Sequence, residues 1–359
     1  MSAADGGYLS VQVSQAATRV LPAARPLERL PLVTLYLTER CNSRCVTCDY
    51  WRHGRADLNL EAAQRLLPQL LALQTRVALI SGGEPLLNPQ WEAIAQLLRD
   101  NGLRLYLLTS GLSLAKHAER AAGVFNAITV SLDGTDAATY EAIRGLNAFE
   151  RVCGGVRAAV ATGVPVSLRV TVQRANYRQI PEFVRLGRTL GVCEVSFIAV
   201  DVANPHAFSR EGDFGSELAL RPEDLPVLEQ ILGVLEREHA ADFQAGLIAE
   251  SPRRLRHMLR YFTALCGLGE YPAVRCNAPE FSAVINARGQ VSPCFFIAGP
   301  AASLWQSDLG SVLNSDPMST LRGRIHAGER PECARCVCSL WRDPDSRDVS
   351  DFLLRRKHA

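Results

Sequence analysis

Lysine is almost missing from this chain of 359 residues: Lys116 and Lys357 are the only two. Arginine carries the rest of the basic charge, which reads as the coding bias of a GC-rich genome and not as a functional signal. An excess of one charge sign is also missing. Thirty-nine basic residues face 37 acidic ones, a formal net charge of +2. Such a balance offers no bulk attraction to nucleic acid or to a membrane surface. No run of roughly 18 or more apolar residues occurs, so no transmembrane helix is expected. Residues 1–30 lack a continuous apolar core; Arg19, Arg25 and Arg29 lie among Ala and Pro, unlike a signal peptide. A cytoplasmic location is therefore expected. In that compartment thiols stay reduced, and clustered cysteines serve as metal ligands more often than as disulfides. The chain has 11 cysteines, and they need an explanation.

The length allows one large domain and a small one. Composition is 47% apolar and 21% charged, in keeping with a globular chain that buries a sizeable core. Short apolar runs alternate with amphipathic stretches. Strands are expected at Leu32–Thr38, Val77–Ser81, Leu103–Thr109, Ala127–Leu132, Val166–Val172 and Glu194–Val200. Helices are expected at Leu60–Leu73, Gln90–Asn101, Leu114–Ala122, Phe149–Thr162 and Ile180–Leu190, where apolar residues recur every three or four positions. Continuously apolar strands separated by helices predict a parallel sheet with a helical cover. Six such units are too few for a closed eight-stranded barrel. The fold class is thus α/β, a partial (β/α)6 barrel open on one side or a doubly wound sheet. Either places the ligand site at the C-terminal strand ends.

The alternation stops further along. Asn204–Gly215 reads as a connection, and Pro222–His239 and Arg254–Leu265 read as helices. Phe281–Ile285 and Gln290–Phe296, joined by Asn286-Ala287-Arg288-Gly289, read as a hairpin. The expected organisation is a tail at 1–30, the partial barrel at 31–205, a helical connection at 206–265, a small cysteine-rich α+β domain at 266–345 and a charged tail at 346–359.

Cys41, Cys45 and Cys48 follow the first strand with the spacing C-x3-C-x2-C. Three such thiolates can hold three irons of a four-iron cube and leave the fourth open for chemistry. A zinc site is the competing reading, with His53 as the fourth ligand it would need. Other residues gather at later strand ends: Ser81-Gly82-Gly83-Glu84-Pro85, Thr109-Ser110-Gly111, and Ser131-Leu132-Asp133-Gly134 followed by Ile143-Arg144-Gly145.

These motifs, in this order and at these strand ends, resemble the radical S-adenosylmethionine (SAM) enzymes. The resemblance covers residues 31 to 200, with further matches near the C-terminus. It implies a [4Fe–4S] cluster on Cys41, Cys45 and Cys48, with SAM chelating the open iron. It also implies reductive cleavage of SAM to a 5′-deoxyadenosyl radical that abstracts a substrate hydrogen atom. Gly82 and Gly83 would let backbone approach the methionyl group. Glu84 would accept from the SAM amino group. Ser131 and Arg144 match positions that hold the carboxylate or ribose, and the Arg144 fork suits a carboxylate. Tyr50 and Trp51 would cover the adenine, Ile198 and Ala199 would pack on its face, and Ser110 belongs to the same cofactor set. Thr47 departs from the pattern, because many members carry an aromatic residue just before the third cysteine.

A second cysteine set comprises Cys266, Cys276, Cys294, Cys333, Cys336 and Cys338. Cys276 to Cys294 reads C-x12-G-x4-C, and Cys333 with Cys336 forms C-x2-C. This resembles the auxiliary-cluster extension of the same enzymes, SPASM in its two-cluster form and twitch in its one-cluster form. The two-cluster form would continue with cysteines where Arg342 and Ser346 stand, so the one-cluster form is expected. Cys276, Cys294, Cys333 and Cys336 are the expected ligands of a second [4Fe–4S] cluster. Cys338 is an alternative to Cys336, Cys266 a thiol near the cluster, and a structural zinc the competing occupant. Cys153 and Cys193 read as buried small hydrophobes.

The resemblance narrows function to a class. The expected activity is that of an oxidoreductase or maturase, oxidising or crosslinking a small molecule or a ribosomal peptide. A dehydratase or epimerase with a purely structural second cluster is the alternative. A non-catalytic zinc or iron–sulfur protein is the reading from outside enzymology. Expected partners are an electron donor such as flavodoxin or ferredoxin and a separate leader-peptide-binding protein, since only 40 residues precede Cys41. The ending Arg355-Arg356-Lys357-His358-Ala359 differs from the Gly-Gly tail of the molybdenum-cofactor relatives. Arg169, Asp201 and His206 lie near strand ends and are the candidates to face substrate.

Overall fold

The computed structural model describes residues 25–202, 204, 208, 215–300, 303–338 and 340–342. Six parallel strands form the framework: β1 (Leu32–Tyr36), β2 (Val77–Ser81), β3 (Arg104–Thr109), β4 (Ala127–Ser131), β5 (Val166–Val172) and β6 (Glu194–Ala199). Each pairs in parallel with the next, and the sheet is open. The helices α1 (Tyr50–His53), α2 (Leu60–Ala72), α3 (Trp91–Asp100), α4 (Leu114–Val124), α5 (Ala137–Arg144), α6 (Phe149–Ala161) and α7 (Ile180–Leu190) intervene. The α2 helix shows the local logic. Asn59 caps it by accepting from Ala62 N–H at 2.8 Å, and Ala62, Ala63, Leu66, Leu67 and Leu70 bury one stripe.

The sheet has two unlike faces. Val33, Leu35, Ala78, Ile80, Leu105, Leu107, Ile128 and Val130 join the large core shared with the helices. The concave face holds a small apolar cluster of Leu32, Val77, Leu79, Tyr106, Ala127, Ala278 and Phe281. Further along, that face turns polar with Thr129, Ser131, Ser167, Arg169 and Thr171 around a cavity. The strands are therefore not apolar on both faces as expected; the lumen is kept partly polar and open.

Past β6, α8 (Gly215–Leu218), α9 (Leu225–Glu238), α10 (Ala240–Ala245) and α11 (Pro252–Leu265) lead to the hairpin β7 (Ser282–Ile285) and β8 (Val291–Ser292). This hairpin joins the framework: β7 runs parallel to β1, with Leu32 opposite Ser282 and Leu35 opposite Ile285. Among the described residues the sheet thus has eight strands in the order β6-β5-β4-β3-β2-β1-β7-β8. No helix of the described residues is long and apolar enough to cross a membrane.

Candidate functional site

The chain leaves β1 at Tyr36 and enters the cysteine loop. Thr38 makes an antiparallel bridge to Asp57. Arg40 clamps the same region, donating to both Asp57 oxygens at 3.3 and 2.6 Å and to the Leu87 carbonyl at 2.7 Å. Gly82 and Gly83 press against this loop. A Cβ on Gly83 would lie 2.2 Å from the Arg40 carbonyl oxygen, and one on Gly82, where φ is +124°, 2.6 Å from that of Thr38. The close approach that demands glycine is therefore to the cysteine loop itself. Two hydrogen bonds of 2.8 Å, Gly83 N–H to Thr38 and Glu84 N–H to Arg40, lock it.

Glu84 is fully buried. Its carboxylate accepts from Ser110 N–H at 2.7 Å, Ser110 Oγ at 2.6 Å, Thr109 Oγ1 at 2.8 Å and Leu86 N–H at 3.2 Å. Burial raises its pKa above the ordinary value, although the Ser110 and Thr109 bonds pull the other way. Glu84 and Ser110, expected as cofactor contacts, are first of all partners of each other, and they tie the end of β2 to the end of β3.

Arg144, expected as a carboxylate holder, also has partners within the protein. It ends α5, which Asp136 caps and Gly145 terminates at φ +72°. Its Nη2 lies 2.8 Å from Asp133 and its Nη1 3.5 Å from Cys45 Sγ. Burial opposes its charge, but Asp133 and then Cys45 outweigh that and hold its pKa above the ordinary value. A second guanidinium, that of Arg169, lies near enough to Cys338 to pull its pKa down against burial. Arg169 stands opposite Ser131 in the β4–β5 register, and both line the cavity.

The loop suits a cationic cluster. Burial, together with repulsion from Cys45, pushes Cys41 to about 11 and Cys48 to about 12. Such thiols resist ionising unless positive charge is supplied. Ser43 Oγ, Trp51 Nε1, Tyr140 Oη and Arg144 Nε are buried here without a protein partner. Among the described residues no three His, Cys, Asp or Glu side chains converge as for a single metal ion. The His53 side chain lies outside the described residues.

The C-terminal cysteines face the polar side of the sheet across a cavity. Cys276, Cys294, Cys333, Cys336 and Cys338 line one cavity of about 910 Å³ together with Ser131, Arg169 and Ile198. Burial pushes Cys294 up to about 12 and Cys333 to about 11. Cys336 Sγ donates to the Cys338 carbonyl at 3.2 Å. Cys266 instead donates to the Leu220 carbonyl at 3.3 Å. Cys153 is buried as expected, whereas Cys193 is exposed, because it sits in the turn that enters β6. Asp201 is buried and accepts from Asn204 N–H at 3.1 Å; His206 lies outside the described residues.

Sequence reasoning missed Tyr36, which no motif marks. Its ring meets Tyr50 edge-on at 5.7 Å and Phe295 at 6.4 Å. Burial foremost, then Tyr50, Cys48 and Cys294, raises its phenol pKa well above the ordinary value. Tyr36 thus lies between the two cysteine sets.

Comparisons with known proteins match two regions of the chain. The Radical SAM superfamily model matches residues 35–187, and the SPASM model, an iron–sulfur cluster-binding domain, matches residues 276–337. An AdoMet-dependent heme synthase of Methanosarcina barkeri is 32% identical over 167 residues, 45% of this chain and 48% of that protein. A pre-heme d1 synthase of Dinoroseobacter shibae is 30% identical over 223 residues, 60% of this chain and 55% of that protein. The chain spans about half the length of the curated relatives it matches. Among solved structures, Streptococcus suis SuiB bound to S-adenosylmethionine superposes with a TM-score of 0.62 at 14% identity, over 82% of this chain and 68% of that one. Native anSMEcpe with bound AdoMet gives 0.60 at 18%, over 81% and 82%. At these identities the likeness concerns the fold alone.

Proposed function

This chain is a radical SAM protein with a C-terminal SPASM domain, and from that premise we propose that it oxidises or crosslinks a small molecule or peptide bound between its two cysteine sets. The observation that carries the reading is the single cavity that Ser131, Arg169 and Ile198 share with the C-terminal cysteines. When bound, the cluster and SAM supply a one-electron cleavage that yields a 5′-deoxyadenosyl radical, which removes a substrate hydrogen atom. Cys41, Cys45 and Cys48 hold that cluster, and Gly82, Gly83 and Glu84 brace the loop that carries them. Ser131 and Arg144 orient the SAM carboxylate or ribose; Arg144 keeps a buried Nε without a protein partner while its Nη2 meets Asp133. Tyr50 and Ile198 shield the adenine. Cys276, Cys294 and Cys333, with Cys336 or Cys338, hold an auxiliary cluster against which substrate lies. A peptide substrate is supported by what two solved neighbours hold. SuiB has been solved with its precursor peptide SuiA, and anSMEcpe with a Cp18Cys peptide. An electron donor such as flavodoxin or ferredoxin, and a separate leader-binding protein for a peptide substrate, complete the system.

Iron counting tests the assignment. Anaerobically purified protein should hold about eight irons per chain, two four-iron cubes. The triple Cys41/Cys45/Cys48→Ala variant should keep about half of them and make no 5′-deoxyadenosine from SAM with dithionite. Loss of all iron in that variant would remove the auxiliary cluster from the account.

A further inference from the structure

Helix α5 is docked on the cysteine loop by its last turn. Arg44 N–H donates to the Arg144 carbonyl and Val46 N–H to that of Ile143, both at 3.0 Å. Gly145 permits this contact, since a Cβ there would meet the Arg44 carbonyl oxygen at 2.5 Å. The docking carries a guanidinium to a ligand sulfur: Arg144 Nη1 is 3.5 Å from Cys45 Sγ. Nη2 is 2.8 Å from Asp133 Oδ2, and Asp133 Oδ1 accepts from Thr171 N–H at 2.7 Å. Arg144 is 9% exposed and Asp133 2%. The three groups form a line of a half-buried thiol, a buried cation and a buried anion.

We propose that Arg144, opposed by Asp133, sets the reduction potential of the cluster held by Cys41, Cys45 and Cys48. The proposal rests on the cluster reading above. Reduction adds one negative charge to a thiolate-bound cluster. A fixed cation that donates to a ligand sulfur stabilises the more negative state and so raises the potential. Asp133 offsets part of that effect. Burial keeps solvent ions from screening either charge. Arginine suits the place because it stays charged when buried, where lysine shifts its pKa readily. Arg144 is thus a tuning and positioning residue: it touches a ligand and not the reacting atoms.

The test is a redox titration of the holoenzyme with dithionite and mediators, followed by electron paramagnetic resonance. The signal that changes on adding SAM identifies the cluster in question. Arg144→Gln should lower the midpoint, so that at fixed donor potential the ratio of reduced to oxidised cluster falls roughly tenfold, about 59 mV for a one-electron couple. Asp133→Asn should raise it by a similar factor. Opposite signs are the signature, because mere loosening of the loop would move both variants the same way. Unchanged midpoints, or shifts of one sign, overturn the proposal. Should Arg144→Gln fail to retain iron, Asp133→Asn decides alone, and its midpoint must rise. Iron counts on the unsubstituted protein and on the Cys41/Cys45/Cys48→Ala variant separate this outcome from failure of the cluster reading, in which the two counts would be equal.

Discussion

Single residues brace the site mainly by what they leave out. Gly83 is the case at the cysteine loop. Its Cβ would collide with the Arg40 carbonyl, which cannot move aside because Glu84 N–H holds it at 2.8 Å. Gly83→Ala should cost about 1–3 kcal/mol, as overpacking against fixed atoms does. The loop should also lose iron. Thermal melts of the metal-free protein and iron counts of the reconstituted one check both effects. Gly123 is the control, a helical glycine with open space where a Cβ would go. Gly123→Ala should leave iron unchanged and stabilise by about 0.5–1 kcal/mol. The contrast shows which part of the site was legible beforehand. Cys41, Cys45 and Cys48 were legible because cluster chemistry fixes both residue type and spacing. The partners of Arg144 were not, because its pairing with Asp133 joins a strand end to a helix end across a fold that composition does not reveal.

At the scale of elements, an ion pair joins the cysteine loop to the β7–β8 hairpin. Arg288, in the hairpin turn, donates to Glu39 at 2.6 and 2.9 Å. Burial pushes the Glu39 carboxyl up, but the Arg288 bond and the Ala56 N–H outweigh it and hold the pKa below the ordinary 4.5. A depressed carboxyl stabilises the fold above its unfolded-state value and loses that contribution as the pH falls through its folded-state value. Arg288→Ala should therefore melt slightly lower than the unsubstituted protein at neutral pH. The gap should close as the pH drops below 4.5; a gap independent of pH would contradict the pairing. The effect is small because the Arg288 side chain is 57% exposed. Most elements were legible from periodicity, and β2, β5 and α7 fall where the pattern places them. The α5 helix was not. Its eight residues bury only Tyr140, Ile143 and Arg144, too short a stripe to stand out beside the Asp133-Gly134 turn. Yet α5 is the element that positions the cation beside Cys45.

For the whole molecule, the cysteine-rich region and the six-stranded framework share one sheet. The hairpin was expected in its own domain, because the four residues Ser282–Ile285 contain no local sign of which edge they complete. Their partner lies some 250 residues earlier, at Leu32–Leu35, in parallel register. Pairing at that separation is decided by shape and burial, which periodicity does not report. The consequence is that β1 is an interior strand only while β7 is present. Removing residues 276–359 would bare a row of backbone donors and acceptors along Leu32–Leu35, a template for pairing with another chain. That truncated protein should give less soluble material and elute as concentration-dependent assemblies. A full-length variant with Cys276, Cys294, Cys333 and Cys336 all changed to alanine is the informative comparison. It lacks the second ligand set but keeps β7 on β1, so it should elute like the unsubstituted protein while losing about half of its iron. If the truncated chain elutes as one copy with an unchanged melt, β7 is dispensable to the sheet. If the cysteine variant assembles as the truncated chain does, the cluster and not the strand protects that edge.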